Sequence, residues 1–443
     1  MKNIKLFALL IILTSCGEPD LNLDDALNPN IGLEVDLVGT FGGNGNDIGT
    51  SITSTNDGGY AILGYTNSTD GDITTKTTDD FDFLLLKYNS QDILEWSKTY
   101  GGSDDDRGNQ ILQTTDSGYV IFGFSNSSDK DVSENNGNSD FWVSKLNSNG
   151  DISWQKSFGF SGRDYGTSLT ATSDGGLLLV GELDVTSSGG EGNFPAKSVL
   201  HAGGDFWSVK IDANGNREWS KFFGGNFTDT PQGVIQLDDG SYVITGFSDS
   251  SDVDITNNKG TYDFWVLKIS NTGTILWEKN FGGSEIDESF DIKKTEDGNI
   301  IIIGDTRSSD KDVTKNNGGA DLWVIKITPD GDLMWQKNFG GTNFDTGRAI
   351  KNTTDGGFVI CGSSRSSDRD FINKGQNDAW VIKISSTGSV QWQKFVGGTD
   401  IDILHDVVEL SNGTFIAVGE STSQDEDIEQ NKGFSDLLKI KIK

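Results

Sequence analysis

Short apolar runs alternate with polar clusters along almost the whole chain. Residues 108–158 show the unit. GNQILQTT alternates and stops at Asp116-Ser117-Gly118. YVIFGFS follows, then a long polar stretch, then DFWVSKL, the turn Asn147-Ser148-Asn149-Gly150, and ISWQKSF. β-Branched and aromatic runs of about five to seven residues bounded by Gly, Asn and Asp are strand signals. The polar two-residue turn after the first run predicts a tight hairpin, because such residues tolerate positive φ. Beyond residues 1–16 no window carries a helical period. Each unit therefore predicts four strands, named a to d in chain order.

The unit recurs seven times. A Gly-Gly or near equivalent begins at Gly42, Gly101, Gly159, Gly224, Gly282, Gly340 and Gly397. Five residues before each, from the second onward, stands Trp96, Trp154, Trp219, Trp277, Trp335 or Trp392. Five residues after each stands Asp47, Asp106, Asp164, Asp229, Asp287, Asp345 or Asp402. The a–b turn follows, with Asp57, Asp116, Asp174, Asp239, Asp297 or Asp355, and Asn412 in the last unit. Strand c opens with Asp-x-Trp at Asp140, Asp205, Asp263, Asp321 and Asp378. Asp82 and Asp436 hold that place in the outer units, with Leu84 and Leu438 for Trp.

Seven four-stranded units predict an all-β, seven-bladed β-propeller with antiparallel blades over residues 33–443. The ends fit a closed ring. The chain stops after SDLLKIKIK, a third strand, while LEVDLVGTF (33–41) is a fourth strand with no unit of its own. The N-terminal strand is expected to complete the last blade and leave no open edge. A stacked solenoid is the alternative, and it leaves the split unit unexplained.

The stretches YGGSDDDRGNQILQTTDSGYVIFGFS (100–125) and DFWVSKLNSNGDISWQKSFG (140–159) resemble the bacterial SBBP-type β-propeller repeat. The resemblance covers about residues 33–443. It implies a propeller in a cell-surface protein and transfers no catalytic residue.

Residues 1–15 read as a lipoprotein signal peptide. Lys2 and Lys5 precede an apolar run too short to span a bilayer, and Leu13-Thr14-Ser15-Cys16 is similar to a lipobox. Cys16 is the expected lipid attachment site. Residues 16–32 are acidic and aperiodic, an anchored tether. The resemblance to Bacteroidota surface lipoproteins implies the outer membrane, facing outward. A periplasm-facing anchor is the alternative.

Composition then removes several classes. There are 67 Asp+Glu against 35 Lys+Arg, a net charge of −32, which would repel nucleic acid. Two Cys and two His cannot build a disulfide scaffold or a Cys/His zinc site. Eleven Trp and 25 Phe suffice for a folded core.

Antiparallel strands place the b–c and d–a connections on one face, where acidic residues gather. Six b–c loops carry Asp-x-Asp: Asp70/Asp72, Asp129/Asp131, Asp252/Asp254, Asp310/Asp312, Asp368/Asp370 and Asp425/Asp427. Alternating carboxylates with Asn and carbonyl oxygens would suit Ca²⁺. The same Ser-Ser-Asp-x-Asp pattern builds Asx turns without a metal. Both readings stand at this point. The seven aspartates before strand a are expected to cap backbone amides at blade junctions. The recurrent tryptophans are expected in the core.

The third b–c loop breaks the pattern with TSSGGEGNFPAKSVLHAGG (186–204) and supplies Phe194, Lys197 and His201 as candidate partner contacts. No nucleophile-elbow, HExxH or P-loop pattern occurs. The sequence therefore favours a cell-envelope lipoprotein whose acidic face binds a protein or glycan. A polysaccharide hydrolase or lyase and a purely structural envelope component are the alternatives.

Overall fold

The computed structural model describes residues 33–185 and 203–443. Cys16, and the insertion residues Phe194, Lys197 and His201, lie outside the described residues. Seven four-stranded antiparallel sheets form the blades, with strands a to d side by side in each. Blade 1 spans 47–100, and blades 2 to 6 follow as 106–158, 164–223, 229–281, 287–339 and 345–396. Blade 7 joins three strands at 402–442 to the N-terminal strand Val35–Phe41. That strand pairs antiparallel with Asp436–Ile442, in register Val38 to Ile440 and Phe41 to Leu437. Among the described residues no helix is long and apolar enough to cross a membrane.

The a–b hairpins differ from the two-residue turn expected. In blade 1, Gly58 N–H donates to the Thr55 carbonyl at 2.9 Å, and Thr55 N–H donates to the Gly59 carbonyl at 2.9 Å. Gly58 sits at φ +81°. This is a type I turn followed by a left-handed residue, which restores the strand twist that a bare type I turn would lose.

The core is seven inter-blade seams. Each buried cluster draws on two adjacent blades, from blades 1 and 2 around to blades 7 and 1. The Asp-Phe-Trp motif explains four seams directly. The strand-c Phe of one blade meets the strand-c Trp of the next: Phe83–Trp142 at 4.7 Å, Phe141–Trp207 at 4.6 Å, Phe206–Trp265 at 4.4 Å and Phe264–Trp323 at 4.7 Å. The strand-c tryptophans are fully buried, so they present no aromatic platform to a sugar. The strand-d tryptophans are mostly half-buried. Those of blades 1–5 pack towards the next blade's c–d turn, and Trp392 packs on Phe415 of blade 7. Trp96 would lie 3.0 Å from a Cβ added at Gly150, and Trp154 3.0 Å from one at Gly215.

Ring closure rests on the N-terminal strand. Leu33, Val35 and Val38 pack on the blade 6–7 cluster. Deleting 33–41 bares the Asp436–Ile442 edge and removes this packing. The expected result is a melting temperature lower by ~10 °C with concentration-dependent self-association. An unchanged, monomeric melt would contradict the closure role.

Candidate functional site

Each blade junction holds a buried carboxylate before strand a. Asp47, Asp106, Asp164, Asp229, Asp287, Asp345 and Asp402 have no exposed surface. Asp106 shows the arrangement. Its Oδ2 accepts the Gly102 N–H at 2.6 Å and the Ser127 hydroxyl at 2.9 Å, and its Oδ1 accepts the Ser125 hydroxyl. Asp402 repeats this with Gly398 N–H at 2.8 Å, Ser423 at 2.9 Å and Ser421 at 2.5 Å. These aspartates cap backbone amides, and nothing in this geometry opens them to a channel cation. In blade 3, Leu183 and Val185 stand where other blades place Ser or Thr. There the Asp184 N–H reaches Asp164 Oδ1 at 3.3 Å instead.

The aspartate opening strand c faces the same junction from the preceding blade. In blades 2 and 4 to 7 its Oδ2 accepts the amide four residues back, as Asp140 does from Asn136 at 2.7 Å and Asp321 from Asn317 at 2.8 Å, whereas Asp82 accepts the Lys76 ammonium at 2.7 Å. A Cβ at Gly101 would sit 2.1 Å from Asp82 Oδ1 and 2.6 Å from Asp106 Oδ2. Glycine is required here because two carboxylates close on its Cα. Burial pushes Asp140, Asp263, Asp321, Asp378 and Asp436 up to about 6, and for the last four the carboxylate across the junction adds to it. Burial likewise raises Asp106 to about 6, Asp164 to about 7 and Asp229 to about 8. Raised carboxyls are usual in hydrolase sites, but these recur at every junction and are sealed from substrate.

The Asp-x-Asp carboxylates lock the rim. The first of each pair faces the d–a link. Asp70 accepts the Asn44 N–H at 2.8 Å, Asp252 the Asn226 N–H at 3.0 Å and Asp310 the Ser284 N–H at 2.8 Å. Asp368 accepts the Thr342 N–H and Asp425 the Thr399 N–H, both at 2.8 Å. Asp129 Oδ1 closes on the link so tightly that a Cβ at Gly102 would meet it at 2.6 Å. The second of each pair turns to the first junction glycine. Gly42 donates to Asp72 at 3.1 Å, Gly101 to Asp131 at 3.3 Å and Gly224 to Asp254 at 3.4 Å. Gly282 donates to Asp312 at 3.2 Å and Gly397 to Asp427 at 3.1 Å. Asp370 departs from the pattern. It is exposed, and its backbone carbonyl accepts the Gln393 amide at 3.0 Å.

The residue between the two aspartates is left-handed in all six loops: Gly71 (φ +66°), Lys130 (+53°), Val253 (+57°), Lys311 (+56°), Arg369 (+59°) and Glu426 (+56°). A buried apolar residue then plugs the loop, as Ile73, Val132, Ile255, Val313 and Ile428 do. Lysines of the preceding blade pair with the second aspartate at Lys374–Asp427 (2.5 Å), Lys259–Asp312 and Lys432–Asp72. These contacts are those of turn building. The calcium expectation for these loops meets a different geometry: in five of them, Asp131 and Asp254 included, the second carboxylate faces a glycine amide, and Asp370 faces solvent. Among the described residues, no three acidic, His or Cys side chains converge as a metal site.

Large apolar side chains stand out on this rim. Phe434 is 76% exposed, Ile372 62%, Phe227 58% and Phe344 44%. All lie on d–a links or b–c loops. Asp129, Asp310, Asp400 and Asp425 are exposed on the same loops.

The opposite face is held by ion pairs. Strand-c lysines reach the a–b turn aspartates: Lys87–Asp57 at 2.8 Å, Lys145–Asp116 at 2.9 Å, Lys210–Asp174 at 3.0 Å, Lys268–Asp239 at 3.2 Å, Lys326–Asp297 at 2.7 Å and Lys383–Asp355 at 2.9 Å. The Thr114 hydroxyl and Lys145 hold Asp116 down to about 2. Burial would raise Asp57, but Lys87 and Thr55 bring it to about 2.

A cavity of about 480 Å³ runs along the axis, lined by strand a of every blade. A β-bulge breaks the a–b register in each blade, between Gly49 and Ser51 in the first and Gly347 and Ala349 in the sixth. The bulge turns two successive residues inward, so Thr50 and Ser51 both line the cavity. The bulged position is Thr50, Asn109, Thr167 and Gln232 in blades 1–4, but Phe290, Arg348 and His405 in blades 5–7. Blades 5–7 also add Asp291, Lys293, Lys351 and Asp406. Asp291 pairs with Lys293 at 2.5 Å and Asp406 with Lys351 at 2.7 Å. Both carboxylates also stitch blades: Asp291 accepts the Ile350 N–H at 2.9 Å, and Asp406 the Ile52 N–H at 2.9 Å. The candidate residues read from the loops include none of these. Aligning strand a across the units, position by position, is the signal that exposes the asymmetry.

No family model matches the chain. It is 22% identical to the regulatory protein FlaEY of Caulobacter vibrioides over 88% of this chain and 46% of that protein, so it spans about half of that relative. Among solved structures it is similar to the Neurospora crassa Pan2 WD40 domain, with 10% identity, 90% and 89% of the two chains covered and a TM-score of 0.47. A protein of unknown function from Bacteroides caccae shows 10% identity, 70% and 89% coverage and a TM-score of 0.40.

Two sets of carboxyls give the stability a definite pH dependence. Burial holds Asp106, Asp140, Asp164 and Asp229 at about 6 to about 8 in the folded chain, against about 3.9 unfolded. The folded state therefore binds more protons between these values, and stability is gained as pH falls from about 8 to about 5. The turn aspartates at about 2 act in the other sense, and their contribution is lost below about pH 4. Calorimetry should find a higher melting temperature at about pH 5 than at about pH 8, with a fall below about pH 4. A melting temperature that only rises from acid to neutral pH would refute this assignment.

Proposed function

We propose that the protein is a lipid-anchored binding propeller of the cell envelope, held by acylated Cys16 at the outer membrane. The junction rim is its binding face, and its partner is a protein carrying basic and apolar groups. The lipobox-like Leu13-Thr14-Ser15-Cys16 supports the anchor. One observation carries the choice of face. Phe434, Ile372 and Phe227 project from loops whose backbone is otherwise fastened by carboxylate caps. Apolar side chains held on a fixed frame lose little entropy on binding and make effective anchors. The exposed carboxylates beside them favour a basic partner and steer its approach. A propeller face of this kind serves as a scaffold without any reaction at its centre.

The test is photo-crosslinked capture from the native envelope with three proteins. The first is wild type, the second Phe227→Ser with Phe434→Ser, and the third Ile93→Ser. Ile93 is 60% exposed in a c–d turn on the other face. The rim variant should lose capture by about tenfold or more, and Ile93→Ser should retain it. Equal capture by all three overturns the choice of face. A captured species destroyed by periodate and resistant to protease would identify a glycan instead.

A further inference from the structure

The channel contains a cation that the protein itself leaves unused. Asp291 is paired with Lys293, Asp406 with Lys351, and Glu420 lies 3.4 Å from His405. Among the described residues Arg348 has no ion-pair partner, and its Nε is buried without a hydrogen bond. Asp305 feels the Arg348 charge but makes no ion pair with it, and accepts the Thr346 hydroxyl at 3.2 Å. The guanidinium lies 4.2 Å over the ring of Phe290, the one phenylalanine at the bulged position. That stacking holds the planar guanidinium of a cavity-lining residue.

The other lining groups sharpen the choice of ligand. Asn109 donates to the Gly166 carbonyl at 2.6 Å, and Thr50 and Thr167 donate to Gly108 and Pro231 carbonyls at 2.8 and 2.9 Å. Gln110 accepts the Leu169 N–H at 2.6 Å. These bonds fasten one blade to the next and tie these side chains to the wall. Gln232 lines the same cavity and makes no such bond among the described residues. The cavity thus offers a guanidinium without an ion pair and, in Gln232, an amide with no inter-blade bond, groups that read a carboxylate and a neutral polar group.

We propose that the central channel binds a small hydroxylated carboxylate of sugar-acid type, with its carboxylate on Arg348 and a hydroxyl on Gln232. The cavity of about 480 Å³ is in the range of small-molecule sites. A carboxylate displaces no internal ion pair of Arg348. A cation would have to compete with Lys293 and Lys351 for their carboxylates. This site is distinct from the rim and does not depend on the reading given to it.

Isothermal titration of the full chain tests the assignment, using D-glucuronate, D-glucose and propionate as probes. Glucuronate should bind at least about tenfold more tightly than glucose, which lacks the carboxylate, and than propionate, which lacks the hydroxyls. Arg348→Gln should weaken glucuronate by about tenfold or more and leave glucose unchanged. Gln232→Ala, which leaves Arg348 and its stacking in place, should weaken glucuronate several-fold and propionate not at all. Equal affinity for glucuronate and glucose, undiminished binding by Arg348→Gln, or no heat with glucuronate at about 10 mM would each overturn the proposal.

Discussion

The structure depends on an aspartate taken out of water at each blade junction. A buried carboxylate costs several kcal/mol unless hydrogen bonds replace its hydration. Here they do. Asp345 accepts the Gly341 N–H at 2.7 Å, the Ser366 hydroxyl at 2.7 Å and the Ser364 hydroxyl. The amide comes from the inter-blade link and the hydroxyls from the second strand of the blade that follows. One side chain thereby fixes the link, the start of the innermost strand and the exit into the b–c loop. The glycine at the junction follows from the same crowding, since a Cβ at Gly340 would meet Asp321 Oδ1 at 2.3 Å.

This constraint sorts the charge of the molecule. Many of the acidic residues do not form a diffuse surface field. One group is sealed at the junctions, a second caps amides along the rim, and a third neutralises strand-c lysines beneath the a–b turns. Among the described residues, the rim presents exposed apolar side chains beside Asp129, Asp310, Asp400 and Asp425, and the channel presents Arg348 and Gln232. Sevenfold repetition explains why so many acids resemble sites. A position present in every blade serves the ring. The features that break repetition are those free for binding, and blades 5–7 break it most within the channel.

The fold is readable in the sequence because each strand boundary is marked by a residue with a local physical job. Trp96 and its counterparts, the junction aspartates and the Asp-x-Trp openings recur at fixed spacing, and the orphan strand at 33–41 predicts the ring closure. The role of Asp106 is legible as a cap, but its partners Ser125 and Ser127 lie 19 and 21 residues away and meet it only after the hairpin forms. The Asp-x-Asp loops leave calcium open beside turn building, because both use the same oxygen-rich spacing. The left-handed central residue and the glycine amides facing Asp131 and Asp254 are tertiary facts. Arg348 is illegible for a different reason: its significance is a missing partner, which no spacing records.

The most direct test of the junction carboxylate is equilibrium unfolding of Asp345→Asn beside Asp368→Asn. The amide keeps the shape but turns one acceptor into a donor facing donors. Asp345→Asn should lower the unfolding free energy by about 3 kcal/mol or more, while Asp368→Asn on the rim should change it by about 1 kcal/mol or less. A wild-type denaturation midpoint for Asp345→Asn would contradict the account.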